Sequence, residues 1–331
     1  MILICFGTRP EWLKIKPLLP HLDCKLLFTG QHEDLVKEVN FDYTPSYKST
    51  TGNRLDDVIS SCLGSFPDDP NIDSVLVQGD TASAFGCALA AFNRGLRVIH
   101  LEAGLRSYDL ENPYPEEGYR QMISRIATVH LCPTQLAESR LQDEKCLGEI
   151  KVVGNTVLDN LVHYTDHIVY SNKVLVTLHR RENHDIIEEW FEELDRLARI
   201  NADIDFILPI HPNPNVQMHR HLLRSVTVVD PLEHSDLIEL LRTCLFTITD
   251  SGGIQEEATF LNKKSIVCRT VTERPEAVNH LKLCPSPKYL ERVFNDVVND
   301  PIINEPCPYG DGKSAQKVKE ILWQNQSTIE E

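Results

Sequence analysis

Short runs of consecutive aliphatic residues recur along this chain, each followed by a polar or glycine-rich turn and then by helical spacing. They fall at 2–6, 25–28, 74–77, 97–101, 129–132 and 151–153, and in a second series at 174–178, 206–210, 226–229, 246–249 and 265–268. A strand with one wet face alternates apolar and polar residues. An unbroken run is dry on both faces, as in a parallel sheet covered by helices. Helix-like spacing at 82–93, 134–141, 185–199, 235–242 and 253–261 supplies that cover. The predicted fold is therefore α/β, with two doubly wound, Rossmann-like parallel sheets, one per series, on either side of 154–170. The 331 residues suit two domains, drawn at 1–160 and 161–313. Beyond them, 314–325 place Val318, Ile321 and Leu322 on one helical face. Ligands of open α/β sheets bind outside the carboxyl ends of the strands, so two such domains facing each other make the cleft between them the default site.

The formal net charge of −16 argues against a general nucleic-acid binder, which needs a clustered positive surface, but leaves room for a small anion held by a few cations. No apolar stretch approaches the roughly 18 residues of a membrane span. The run after Met1 is too short for a signal h-region and has no basic start. A cytoplasmic protein with no membrane partner is expected. Ten cysteines occur without a Cys-x-x-Cys pair, so neither a zinc ribbon nor a thioredoxin-like site is indicated.

The residues that follow the runs are the candidates for chemistry. After the first comes Gly7-Thr8-Arg9-Pro10-Glu11, with Lys14 beyond. Gly7 permits a tight turn and Pro10 suits a first helical turn, so Arg9 and Lys14 fall near a helix N-terminus that attracts anions; an ordinary solvated turn is the alternative. Asp80, in Gln78-Gly79-Asp80-Thr81, reads either as a helix N-cap or as a reactive carboxylate. Glu102 directly follows an apolar run, an unusual place for a charge, and Glu116 with Arg120 has the spacing of an ordinary helical ion pair. Asp80, Glu102 and Glu116 together put three carboxylates at one edge of one sheet, where acid–base chemistry at carbon needs at least two of unequal pKa.

In the second series His179 and His211 follow neighbouring runs at equivalent places. No third ligand stands at useful spacing, so no metal is assigned. Ser251, Gly252 and Gly253 bring backbone N–H groups to a helix start and can cradle a diphosphate, and Glu257, about a turn further, can accept from ribose hydroxyls. The alternative there is a merely capped helix. Arg274, in Thr272-Glu273-Arg274-Pro275-Glu276, offers another cation. Neither a Walker-type lysine motif nor Gly-x-Gly-x-x-Gly is present, which disfavours ATP hydrolysis and a dinucleotide cofactor.

Taken in order, GTRPE with Lys14, QGDT, LEAGLRSYDLENPYPEE with Arg120, VGNT, HRREN, IHPNPN, DSGGIQEE, TERPEA and PYGDG resemble the non-hydrolysing UDP-N-acetylglucosamine 2-epimerases, from residue 2 to about residue 315. The resemblance implies a GT-B-like fold, with the C-terminal helix (314–331) packing back on the first domain, and a homodimer. It implies conversion of UDP-GlcNAc to UDP-ManNAc without a cofactor, by elimination of UDP to a 2-acetamidoglucal and re-addition. Carried over by residue, Asp80, Glu102 and Glu116 match the family's catalytic carboxylates and His179 its catalytic histidine. Arg9, Lys14, Arg120, His211 and Arg274 match substrate-binding positions; Ser251, Gly252 and Gly253 match the diphosphate cradle, and Glu257 the ribose contact.

Leu178, Pro212 and Gly118-Tyr119 depart from the family's usual residues, and Leu178 and Tyr119 are the two expected to reshape the sugar pocket. The readings left beside it are a deoxy or L-configured UDP-HexNAc substrate, a hydrolysing 2-epimerase releasing UDP and ManNAc, a GT-B glycosyltransferase, and a nucleotide-sugar sensor.

Overall fold

The computed structural model describes residues 1–31, 39–46, 51–270, 275–303 and 305–327. The chain divides into two units, Met1–Asn160 with Tyr309–Glu331, and Leu161–Pro308. Among the described residues each unit holds one six-stranded sheet whose strands all pair in parallel.

In the first unit the strands are β1 (Ile2–Phe6), β2 (Cys24–Phe28), β3 (Ser74–Gln78), β4 (Arg97–Leu101), β5 (Val129–Cys132) and β6 (Glu149–Val152), in the order β2-β1-β3-β4-β5-β6. Its helices are α1 (Arg9–Ile15), α2 (Arg54–Gly64), α3 (Ala82–Asn93), α4 (Glu116–Ile126) and α5 (Gln135–Asp143). Strand parity sorts the side chains onto two covered faces. Leu3, Cys5, Val75 and Val77 join Val58 and Cys62 of α2 and Ala84, Ala88 and Ala91 of α3 in one buried cluster. Ile2, Ile4, Phe6 and Leu76 point the other way, into a second one. That is why these strands read as unbroken apolar runs.

The second unit carries β7 (Lys173–Thr177), β8 (Asp205–Pro209), β9 (Thr227–Val229), β10 (Phe246–Thr249), β11 (Ser265–Val267) and β12 (Leu281–Leu283), in the order β12-β11-β10-β7-β8-β9. Around it lie α6 (Ile187–Ile200), α7 (Pro214–Gln217), α8 (His234–Thr243), α9 (Gly252–Phe260) and α10 (Leu290–Val298). Trp190 and Phe191 of α6, Phe206, Phe246 and Phe294 form its aromatic core. The last helix, α11 (Ser314–Ser327), belongs to the first unit, where Ala315, Val318 and Leu322 bury beside Ile2 and Phe6. The chain returns to that unit upstream of α11, since the Asn155 amide donates to the Tyr309 carbonyl at 2.7 Å and the Asp159 carboxylate accepts from the Ser314 and Ala315 amides.

Strand order fixes where ligands can enter. Each sheet reverses direction once, between β1 and β3 in the first unit and between β7 and β10 in the second. The loops leaving the strands on the two sides of such a reversal diverge and leave a crevice, the usual ligand position in open α/β sheets. The crevice loops are therefore those at Gly7, Gly79, His179 and Asp250.

Two elements of the core also set a pH dependence. His100 of β4 and His130 of β5 are register partners and fully buried. The His100 Nε2–H donates to the Gly79 carbonyl at 2.8 Å, and the His130 Nε2–H to that of Leu147 at 2.9 Å. Neither Nδ1 has a partner among the described residues. Burial pushes both imidazoles down, His100 to about 3. Between those values and the unfolded value of about 6.5, the unfolded chain binds more protons, so stability rises with pH and is lost in acid. The melting temperature is expected to be level above pH 7 and to fall steadily from pH 6.5 to pH 5, as followed by circular dichroism at fixed ionic strength. A level Tm across that interval contradicts the assignment.

Candidate active site

The first-unit crevice is built on glycines and a buried acid. A Cβ at Gly7 would lie 2.1 Å from the Ser83 Oγ and 2.2 Å from the Thr29 Oγ1, so only glycine fits after β1. Thr8 caps α1, and Glu11, 1% exposed, closes a capping box by accepting from the Gly7 amide at 3.0 Å and the Thr8 amide at 2.7 Å. Its other oxygen accepts from the Thr81 hydroxyl at 2.7 Å. Burial raises the Glu11 pKa against these hydrogen bonds. One carboxylate thus ties the turn bearing Arg9 to the turn bearing Asp80. Thr81, not Asp80, is the N-cap of α3, its hydroxyl accepting from the Ala84 amide at 3.0 Å. That removes the capping alternative for Asp80, which pairs with the Arg120 guanidinium at 2.5 Å.

Glu102 leaves β4 with a φ of 63°, in the left-handed region that a side-chain-bearing residue rarely adopts. Such backbones carry of order 1–3 kcal/mol of strain and gather at functional sites. Its carboxylate receives the Lys14 ammonium and the Gln78 amide, and both ends of the Lys14 pair are largely buried. Glu116 opens α4, half-buried. Its neighbour Glu117 is fully buried, accepts from the Ser107 and Tyr108 amides at 3.0 and 3.2 Å, and stands 3.4 Å from Arg120. Lys14 with Glu102 at the end of β4, and Arg120 with Asp80 at the end of β3, thus form two ion pairs, whereas Arg9 is exposed on the first turn of α1.

In the second unit the ring of His179 stacks on that of His211, with centroids 4.9 Å apart and planes 10° from parallel. Burial lowers the His179 pKa; Asp250, whose Oδ1 lies 3.5 Å from the ring Nδ1, opposes the shift, while Arg180 and His184 add to it. His211 is also held below its ordinary range, first by burial and then by His179. Ser251 is the N-cap of α9, yet its hydroxyl makes no capping bond, and Gly252 and Gly253 form the first turn. A Cβ at Gly253 would meet nothing within 4 Å. The space over this helix start is open, as a cradle requires. One oxygen of the Glu257 carboxylate already accepts from the His234 Nε2 at 2.8 Å. Arg274 lies outside the described residues.

One sequence expectation is corrected: Leu178 is 2% exposed inside the second unit's core and is an apolar filler, since an aliphatic chain beside a hydrophobic cluster gains most by burying there. Tyr119 is half-buried, its ring stacked on Phe85 (5.2 Å, 10°) against the core under α2 and α3. Conversely, Glu11, Gln78, Glu117, Asn183, His234 and Asp250 were passed over. Each is a polar side chain within two residues of a strand end or helix start, and all but His234 lie in the motifs quoted above. Among the described residues no three His, Cys, Asp or Glu side chains are grouped to hold a metal ion, and no helix is long and apolar enough to cross a membrane.

Two parallel sheets covered by helices, each with its strand order reversing once, define a GT-B-like α/β protein. The fold likeness extends to MurG of Acinetobacter baumannii at a TM-score of 0.57 and 11% identity, across 98% of each chain. Residues 18–323 match the model of the UDP-N-acetylglucosamine 2-epimerase family. The chain is similar to the UDP-N-acetylglucosamine 2-epimerase of Campylobacter jejuni (36% identical, 97% of each chain) and to that of Escherichia coli K12 (32%, 99% of this chain and 100% of that one). Among solved structures it resembles the Neisseria meningitidis UDP-GlcNAc 2-epimerase bound to UDP-GlcNAc (TM-score 0.86, 30% identity, 98% and 99% covered). It also resembles the S. aureus MnaA–UDP co-structure (0.87, 30%, 100% and 98%). The chain belongs to the UDP-N-acetylglucosamine 2-epimerase family.

Proposed function

We propose that this protein inverts carbon 2 of UDP-N-acetylglucosamine to give UDP-N-acetylmannosamine, eliminating UDP to a 2-acetamidoglucal and adding it back on the reprotonated sugar. The observation that carries the reading is the strained, cation-gripped Glu102 at the end of β4, together with the Asp80–Arg120 pair at the end of β3. The proton on carbon 2 has no adjacent carbonyl to acidify it. It becomes labile only as the anomeric C–O bond lengthens and positive character builds next door. The forward step therefore needs a carboxylate base at carbon 2 and cationic or N–H stabilisation of the departing diphosphate. Asp80, Glu102 and Glu116 are assigned to proton transfer on the two faces of the sugar. Arg9, Ser251 and the amides of Gly252 and Gly253 are assigned to the diphosphate, His179 to catalysis as the cation that meets it, and Lys14, Arg120, His211 and Arg274 to substrate contacts, Lys14 and Arg120 also fixing the carboxylates. Glu257, anchored by His234, is assigned to the ribose hydroxyls.

The reverse step returns a proton to the opposite face of carbon 2 and the UDP oxygen to carbon 1. Atoms balance with no redox partner. Relatives solved with UDP-GlcNAc and with UDP support this substrate class.

Proton NMR of the purified protein with UDP-GlcNAc in deuterated buffer tests it. The expected product is an intact UDP sugar of manno configuration carrying deuterium at carbon 2. Free UDP with free N-acetylmannosamine would instead mark the hydrolysing reaction, and an unchanged spectrum would reject this substrate.

A further inference from the structure

Asp250 ends β10 directly before the proposed diphosphate cradle, and nothing above gives it a part in the reaction. Its carboxylate is fully buried. Its Oδ2 accepts from the Arg180 amide at 2.8 Å, the His179 amide at 3.0 Å and the Asn183 Nδ2 at 3.0 Å. The Asp250 amide in turn donates to the Thr177 carbonyl at 3.1 Å, locking the end of β10 to the end of β7. We propose that Asp250 is a positioning residue, holding His179 through the backbone of the 179–183 turn and through its own negative charge, beside the loop that begins at Ser251.

The bonding pattern separates this role from simple capping. A carboxylate that only closed a turn would need the backbone donors, and here it also lies 3.5 Å from the imidazole. The other charged or titratable groups acting on that ring are Arg180 and His184 on its own turn and His211, which follows β8. Arg180 and His184 disfavour the imidazolium, as does burial; Asp250 alone of these favours it. If His179 serves the departing diphosphate as a cation, which rests on the function proposed above, Asp250 keeps that cation available.

Asp250→Asn retains the shape and one acceptor oxygen but removes the charge. An opposite charge this close moves a pKa by about one to three units. The His179 midpoint, followed by NMR of histidine-labelled protein and assigned with His179→Gln, is therefore expected to fall by at least one unit in the variant. The alkaline limb of the kcat profile should move to lower pH with it, so that activity lost at pH 8 is partly regained at pH 6. An unmoved midpoint overturns the proposal, even if activity is lost. A lowered midpoint in the variant, where the parent protein itself does not turn over UDP-GlcNAc, upholds the positioning role while rejecting the epimerase reading. Asn183→Ala supplies a second test if the first variant does not fold. It keeps the charge and removes a competing donor, so the midpoint should hold or rise, and a fall counts against the proposal.

Discussion

Glu102→Gln is expected to lower turnover of UDP-GlcNAc by about 10²- to 10⁴-fold, the range for loss of a general acid or base, while the dissociation constant for UDP changes by less than about threefold, under 0.7 kcal/mol. The substitution is nearly isosteric and leaves the left-handed backbone at 102 in place, so its effect reports the lost charge and not a relaxed turn. The amide oxygen can still accept from Lys14 and Gln78, which keeps the side chain where the carboxylate was. UDP binding is assigned elsewhere, to the helix start at 251–253 and to Arg9, which is why the two readouts should separate. Isothermal titration with UDP alongside steady-state kinetics makes the comparison. If UDP affinity falls in step with kcat, Glu102 is a binding group and the carboxylate roles must be redrawn. Asp80→Asn should behave likewise, with one added consequence: Arg120 loses its 2.5 Å ion pair, so KM is also expected to rise.

How much of this was legible beforehand depends on what each residue's signal is made of. Burial on both sheet faces writes itself into unbroken runs, so eleven of the twelve strands follow from the apolar pattern. The exception, β12, is a three-residue edge strand whose centre is Lys282, with two of its three residues exposed, and it carries no such pattern. Helices α2 and α10 are absent from the sequence expectations although their apolar residues are helically spaced, Leu55, Val58, Ile59, Cys62 and Leu63 in one and Leu290, Val293, Phe294 and Val297 in the other. Asp57 of α2 turns inward to accept from the Thr51 amide and hydroxyl. At the site, the residues found from sequence were those whose position is odd, such as Glu102 after an apolar run. Those missed hold others in place. Glu11 looks like any acidic residue in a first helical turn until the fold brings Thr81, seventy positions away, onto its carboxylate. Asp250 looks like a cap for the glycines that follow, and only the pairing of β7 with β10 turns it toward His179. Partnership across strands is a property of topology, which no local window contains.

Gly253 poses the opposite case, a residue that local stability would replace. It does not take a left-handed backbone, and a Cβ there would meet nothing within 4 Å. Gly253→Ala is thus compatible with the native conformation and is expected to stabilise the protein by about 0.4–1 kcal/mol, chiefly by restricting the unfolded chain. Packing supplies no reason for a glycine in this turn, and the proposed function does. A diphosphate seated on the amides of a helix start needs the backbone at close range, and a methyl group pointing into the same open space holds it off. The expected result is a higher melting temperature with UDP affinity at least about tenfold weaker, or 1.4 kcal/mol. Gly253→Leu should abolish measurable binding while folding normally. Differential scanning calorimetry and titration with UDP on the same preparations decide the matter. A variant that is more stable and binds UDP as the parent does would remove the 251–253 turn from the site, because the only cost left to glycine there would be unexplained.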